Sequence, residues 1–390
     1  MFDVIVVGAR CAGAATAMLL ARRGWRVLLV DKARELTEST STLYIQRPGV
    51  MMLREWGLLP QVIASGCPGL ERTHYEVNGV RLVGGAAGGE VSYAPRRGVL
   101  DPILVEAAVG AGAEFRAGCA VTDLVWHADR VAGVRLGTSS GLAETVRAPL
   151  VVGADGMRST VANLLSAPVE VSDPRRTCVY YSVWADLPAC FETYERTGNW
   201  IAVIPTNDAL TIVATYVPQS AFAAVRLAPF QAHHTAISRT APQLYERMRT
   251  ATQVERLRGR GDQFNFFRQA AGSGWALAGD AGVHKDSITA RGITDAFVQA
   301  DLLNQALDVD PGDPAALRLG LTGYADSRNR ALAESYRGAL ALAELRVTES
   351  RLSMLRAISE STELTELYFA VTAGLRTMDD LLVPELLERL

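Results

Sequence analysis

The tightest constraint on this chain lies in its first 31 residues. Val4 to Val7 is an unbroken apolar run that stops at Gly8, the pattern of a strand buried on both faces of a parallel sheet. Small and apolar residues from Gly13 to Arg23 then make a close-packing helix that ends at Gly24, and RVLLVD, Arg26 to Asp31, is a second buried strand closing on an acid. The segment reads as one strand-turn-helix-strand unit of about 30 residues. Its turn, GARCAG, has glycine at the first and third fingerprint positions, Gly8 and Gly13, but Arg10 at the second. The first glycine permits the turn, the second admits a pyrophosphate to the backbone, and the third lets the helix approach the strand. Asp31 stands where an acid would accept hydrogen bonds from a ribose. The unit therefore reads as a nucleotide-binding turn with its middle position altered. Its helix start, at Cys11 and Ala12, still offers amides to a phosphate, and the Arg10 guanidinium is expected to point toward the phosphates or into the adjoining cleft in place of the missing close approach.

With 390 residues the chain can build two or three cores, so a site between domains is possible. A net charge of -3 gives no global attraction to nucleic acid, so an anionic ligand has to be held locally. The cysteines, Cys11, Cys67, Cys119, Cys178 and Cys190, show no CxxC spacing, which indicates neither a zinc site nor a disulfide framework. They read as reduced thiols of a cytoplasmic protein. Val4 to Val7 is too short for the core of a signal peptide, and no apolar run approaches the roughly 20 residues of a transmembrane segment.

Further along, Gln46 to Trp56 reads as a helix with Pro48 in its first turn. Arg72 to Tyr93 reads as glycine-rich antiparallel ribbon, and Cys119 to Trp126 with Arg130 to Leu136 as a hairpin turning at HAD. Leu150 to Ala154 and Gly274 to Ala278 are again short buried strands. Between them, from about Val171 to Arg268, the texture is β-rich, with one helical stretch at Gln231 to Arg249. The expected fold is α/β: a three-layer, Rossmann-like cofactor domain with an inserted antiparallel substrate sheet and C-terminal helices. The cofactor domain takes residues 1–72, 97–171 and 270–312, the substrate domain 73–96 and 172–269, and the helical region 313–390. That last region is left with three roles: covering the pocket, forming a homodimer or completing the core.

Two further motifs follow strand ends. VVGADGMRST, Val151 to Thr160, delivers Asp155 and Gly156, a pair that by itself also fits a simple turn and helix cap. GWALAGDAGVHKDSITARGITDAF, Gly274 to Phe297, delivers Asp280 to a loop and opens a helix at Gly292. Together with the first turn, these motifs resemble the set that binds FAD in flavoprotein monooxygenases like para-hydroxybenzoate hydroxylase, and more closely the subset that includes geranylgeranyl reductase-like enzymes. The resemblance spans roughly residues 1 to 310. It implies FAD as cofactor, with the ADP part at Gly8 to Gly13 and the adenosine ribose at Asp31, followed by Lys32. Arg47 in QRPGV and Arg97 in RGVLD match cofactor-contacting positions, and Val121 lies on the strand that meets adenine through its backbone. Asp155 and Gly156 match the motif serving FAD and NAD(P)H, Asp280 the one on the ribityl and pyrophosphate side, and Gly292 and Ile293 the helix start below the flavin pyrimidine. The amides there would stabilise negative charge on reduced flavin.

The activity so implied is that of a monooxygenase using NAD(P)H and O2 through a flavin C4a-hydroperoxide, on a small apolar or aromatic metabolite of secondary metabolism. The alternatives are reduction of isoprenoid double bonds and rearrangement of a ligand without net redox chemistry. A single fingerprint leaves no second nucleotide domain, so NAD(P)H would bind transiently near Asp155 and Arg47 as donor, or reduction would need a separate reductase. Asp286 and Ser287 stand where hydroxylases of the group usually have proline. No catalytic side chain and no metal ligand is indicated. WIAVIP, Trp200 to Pro205, partly matches a halogenase signature, but both lysines, Lys32 and Lys285, fall in cofactor motifs. His233 and His234 are expected at the surface or an interface, His284 lies in the flavin loop with contact to cofactor or substrate as one of two open outcomes, and Tyr44 either lines the pocket or serves structural packing.

Overall fold

A computed structural model describes residues 1–39, 41–85, 91–138 and 143–389; residues 86–90 of the expected ribbon lie outside them. Six strands form the central sheet, in the order Ala271–Gly272, Trp275–Leu277, Leu150–Gly153, Val4–Val7, Val27–Asp31 and Glu114–Ala117. All pairings are parallel except that of the two-residue edge strand. The register sets Val7 beside Gly153 and Gly153 beside Leu277. Three strands therefore end level, and the loops beginning at Gly8, Ala154 and Ala278 emerge side by side. In an open parallel sheet this edge is where ligands bind.

Helices cover one face of this sheet and a second sheet the other. The helix Cys11–Arg22 is buried from Cys11 through Ala21 and packs against Arg97–Gly110 and Gly292–Ala306. Alanines at 14, 15, 17 and 21 let it pack closely. On the opposite face the strands Cys119–His127, Arg130–Thr138 and Ala143–Arg147 form an antiparallel sheet. Val121, Leu124, Val131, Val134 and Leu136 pack there against Ile5, Val7, Leu28 and Val30.

A seven-stranded sheet makes the second body, in the order Thr252–Arg260, Thr177–Ala185, Thr211–Pro218, Asn199–Pro205, Phe191–Arg196, Arg72–Val77 and Val80–Gly85. It is antiparallel except where Phe191–Arg196 meets Arg72–Val77 in parallel. That seam joins two segments far apart in sequence, and a parallel pairing needs such a long crossover. Helices Pro229–Thr240 and Pro242–Met248 cover one face. They replace the single helix expected over Gln231 to Arg249, because Pro242 lacks an amide hydrogen and holds Ala241 out of helical geometry (φ -132°, ψ 69°). Helices Glu349–Ser359 and Thr362–Thr372 lie on the other face, where Leu355, Ile358, Tyr368 and Phe369 pack on Tyr75, Val77 and Leu82. The long helix Pro314–Leu342 runs along the first body, with Tyr324 Oη donating to the Leu277 carbonyl at 2.8 Å. Of the three roles left open for this region, completing the core is met. No helix among the described residues is long and apolar enough to cross a membrane.

Trp200 to Pro205 forms a strand of the second sheet, with Trp200 through Ile204 buried in the core. His233 corrects an expectation. It is 1% exposed, with ring nitrogens 2.8 Å from both Ser182 Oγ and Thr215 Oγ1. A helix with few apolar residues looked solvent-facing, but two hydroxyls from the sheet satisfy the ring inside. Burial, aided by His234, lowers its pKa to about 3. The unfolded chain takes up a proton below the ordinary value of 6.5 and the folded chain does not. Stability is thus expected to fall as pH drops from 6.5 toward 3. His233→Gln should flatten that slope in thermal melts, and an unchanged slope would remove His233 as its source.

Candidate functional site

The strand ends open into one cleft of about 510 Å³, a volume in the range of cofactor and substrate pockets. It is lined by Gly8, Arg10, Cys11, Ala12, Asp31, Lys32, Arg97, Val121, Asp155, Gly156, Asp280, Gly292 and Ile293. Two residues expected at the cofactor lie outside this lining. Gly13 sits beneath the turn, and Arg47 sends its guanidinium to the Gly85 carbonyl at 2.8 Å.

The glycines act by excluding a side chain. Gly8 has φ +100°, and a Cβ there would lie 2.5 Å from the Ala154 carbonyl oxygen. A Cβ on Gly13 would lie 1.7 Å from the Gly8 carbonyl oxygen, and one on Gly279 2.7 Å from Ala12 Cβ. The first turn is thus closed on itself and wedged between the two later motifs. Asp31 holds it from the side: the Ala9 and Ala33 amides each donate to one carboxylate oxygen at 2.8 Å. Each oxygen keeps a lone pair for another donor.

Arg10 does not stand free. It lines the cleft, but Nη1 donates to Asp101 Oδ2 at 2.7 Å and Nη2 to the Thr37 carbonyl at 3.0 Å. Arg97 donates to Asp101 Oδ1 through Nε at 2.9 Å and Nη2 at 2.7 Å. Asp101 is fully buried, and sequence reading passed over it. Its signal was the i, i+4 spacing within RGVLD, which places Arg97 and Asp101 on one helix face. Burial works against the Arg97 charge, but neighbours including Asp101 and Asp280 outweigh it and raise its pKa. Burial pushes the Cys11 thiol up to about 12, so it stays neutral. Two cations share the one carboxylate of Asp101.

The acids of the later motifs differ. Asp155 is occupied, accepting from Ser159 Oγ and from the Thr160 amide at 2.6 Å. Asp280 is exposed in the cleft and makes no hydrogen bond or ion pair with any described residue. The helix starts also differ. Helices beginning at Thr160, Pro314, Glu349 and Thr362 are each capped by a side chain, from Ser159, Asp313, Thr348 and Ser361. Those beginning at Cys11 and Gly292, both facing the cleft, have none, and neither do those beginning at Arg47, Leu59, Arg97, Pro229 and Pro242. Uncapped amides attract anions.

On the side of the seven-stranded sheet the lining is polar: Ser39, Ser41, Thr42, Tyr44, Tyr181, Gln263 and Ser287. Tyr44 stacks on Phe191 with centroids 4.3 Å apart. The Ser287 amide donates to Gln263 Oε1 at 3.1 Å, which turns Gln263 Nε2 toward Thr177 Oγ1 at 2.7 Å. Thr177 Oγ1 in turn donates to Asp286 Oδ2 at 2.7 Å. Asp286 is 1% exposed, and burial raises its carboxyl to about 6 against the bonds from Thr177 and Ile288. Ser287 Oγ donates to Gln263 and lies 3.0 Å from Tyr216 Oη and 3.4 Å from Tyr181 Oη, while Tyr216 Oη donates to the Ser287 carbonyl at 3.2 Å. His284 lines the cleft with Nδ1 on the Phe264 carbonyl. Lys285 is buried against Asp295 and Ser335.

A strand-end cleft with a glycine turn, an acid closing the second strand and two helix starts facing it has the form of a dinucleotide-binding protein. The chain matches the family described as FAD binding domain over residues 1–284 and belongs to it, among the flavoproteins built like para-hydroxybenzoate hydroxylase. It is therefore an FAD-binding protein of an oxidoreductase family. It is 27% identical to a digeranylgeranylglycerophospholipid reductase of Methanosarcina acetivorans over 78% of this chain and 75% of the relative. It is 33% identical to a rifampicin monooxygenase of Streptomyces venezuelae over 42% of this chain and 34% of that one. The solved structure of the flavin-dependent brominase Bmp2 superposes with a TM-score of 0.80 at 17% identity, covering 96% of this chain and 93% of that chain, which shows a common fold.

FAD fits these residues through the positions that reject a Cβ, the uncapped helix starts and the unpartnered Asp280. Arg10→Gly restores the usual fingerprint, yet removes one cation from Asp101. It is expected to weaken FAD binding about tenfold, the size of one charge-assisted hydrogen bond. Flavin titration of the apoprotein checks this, and equal or tighter binding would contradict it.

Proposed function

We propose that the protein is an FAD-dependent monooxygenase that uses NAD(P)H and O2 on a small, largely aromatic metabolite. The observation carrying this reading is the direction of hydrogen bonding around Tyr181. The chain from Asp286 through Thr177, Gln263 and Ser287 turns the Ser287 hydroxyl hydrogen to Gln263 and leaves Ser287 Oγ open to accept from Tyr181, 3.4 Å away. The phenol oxygen then presents a lone pair to the cleft. A substrate hydroxyl or amine would donate to it, and holding that donor raises the electron density of an attached ring. Oxygen transfer needs such a nucleophilic carbon. Bound FAD would supply hydride acceptance and oxygen activation. Gly8 to Gly13, Arg97 and Asp280 would hold it, while Gly292 and Ile293 offer amides to negative charge on its ring. Arg47 lies outside the cleft lining and has no part in this reading.

A second reading, reduction of isoprenoid double bonds, draws on the match to the Methanosarcina reductase across most of both chains. The polar wall around Tyr181 weighs against it, because a long hydrocarbon would desolvate those groups without pairing them.

With phenols and anilines as a panel, the FAD-loaded enzyme should consume NADH or NADPH and place one atom of labelled O2 in a product. Tyr181→Phe should lower the product formed per NAD(P)H at least tenfold while retaining flavin. Anaerobic saturation of geranylgeranyl double bonds, with no labelled oxygen in any product, would favour the second reading and overturn the first.

A further inference from the structure

Of the 39 arginines and lysines in the chain, only Lys32 and Lys285 are lysines. Lys32 is exposed, whereas the Lys285 side chain is 8% exposed and belongs to the cleft lining together with Gly292, Ile293, Asp295 and Gln299. An ammonium is a compact point charge with three donors, and a guanidinium is a planar fork. Lysine at an interior position of an arginine-rich chain fits a need for the point charge.

Two of the three donors are spent within the fold: Lys285 Nζ donates to Asp295 Oδ2 and, at 2.9 Å, to Ser335 Oγ. The third has no partner among the described residues. Asp295 is shared with a second cation, since Arg291 Nε donates to its Oδ1 at 3.4 Å. One turn further along the helix Gly292–Ala306, Gln299 Nε2 donates to the Asp295 carbonyl at 3.1 Å, and its Oε1 is buried with no partner among the described residues. An open donor and an open acceptor thus belong to the wall that carries the helix start. A buried ion pair is weak grounds for stability, because apolar residues of similar volume often serve as well. What it does supply is a fixed charge whose field is little screened. The pyrimidine edge of a flavin shows carbonyl oxygens beside an N–H. Uptake of two electrons and one proton gives that ring a negative charge.

We propose that Lys285 tunes the redox balance of the cofactor: its charge favours the reduced form of bound flavin over the oxidised form, adding to the amides at Gly292 and Ile293, and Asp295 limits the effect. The inference rests on the proposed placement of the flavin ring at Gly292 and Ile293, and not on the choice of substrate or on oxygen transfer.

The test titrates FAD-loaded protein anaerobically with dithionite and mediator dyes, with neither NAD(P)H nor substrate present, so a failure of oxygen chemistry leaves it intact. Lys285→Met should shift the balance at least tenfold toward oxidised flavin, a fall in midpoint potential of about 30 mV for a two-electron couple. Asp295→Asn should raise the midpoint. A loosened loop would move both variants the same way, whereas a charge effect moves them in opposite directions. Ile293→Pro removes one helix-start amide at a position that tolerates proline, and a lower midpoint there checks the flavin placement separately. Should Lys285→Met fail to retain flavin, Asp295→Asn decides by itself, and a raised midpoint supports the proposal. An unchanged midpoint in Lys285→Met, shifts of one sign in both variants, or no rise in Asp295→Asn would each overturn it.

Discussion

Everything in the cleft depends on one backbone contact, the Gly13 Cα against the carbonyl of Gly8. The gap has no room for even a methyl group, since a Cβ would fall 1.7 Å from that oxygen. The contact lets the first helix begin directly above the strand end. Gly279 meets Ala12 and Gly8 meets Ala154 in the same way, so three motifs more than a hundred residues apart are fixed by steric contact before any ligand arrives. The parallel register supplies the level strand ends, and glycine lets their loops touch.

On this frame the electrostatics divide into groups already satisfied and groups left open. Asp101 is saturated by Arg10 and Arg97. Asp155 is consumed by its own helix start. Among the described residues, Asp280 makes no hydrogen bond or ion pair, and the helix starts at Cys11 and Gly292 have no side-chain cap. A buried polar group without a partner is costly, so leaving these open is sustainable only at a surface that water or a ligand can reach. FAD offers a diphosphate, hydroxyls and an electron-rich ring to match them.

The strand-turn-helix-strand unit and the strands ending at Gly153 and Leu277 were legible because local chemistry dictates them: apolar runs, glycine stops and acids at strand ends. The break at Pro242 was equally visible, yet the helical periodicity on both sides masked it. Other features depend on tertiary neighbours. Burial of His233 needs Ser182 and Thr215 from two other strands, and the hydrogen-bond direction at Tyr181 needs Gln263 and Asp286. Arg10 shows the boundary best. Its place in the cleft follows from the motif, but its guanidinium turns to Asp101, ninety-one residues away, and only the i, i+4 spacing with Arg97 hinted that Asp101 would be there.

The central claim is that the strand-end loops form a prebuilt cradle whose open groups are reserved for FAD. Asp280→Ala tests it most directly, because the carboxylate makes no hydrogen bond or ion pair with any described residue whose loss could be confused with misfolding. The variant should have the melting temperature of the wild-type apoprotein and bind FAD at least tenfold more weakly by flavin titration. Undiminished affinity in that variant would contradict the account.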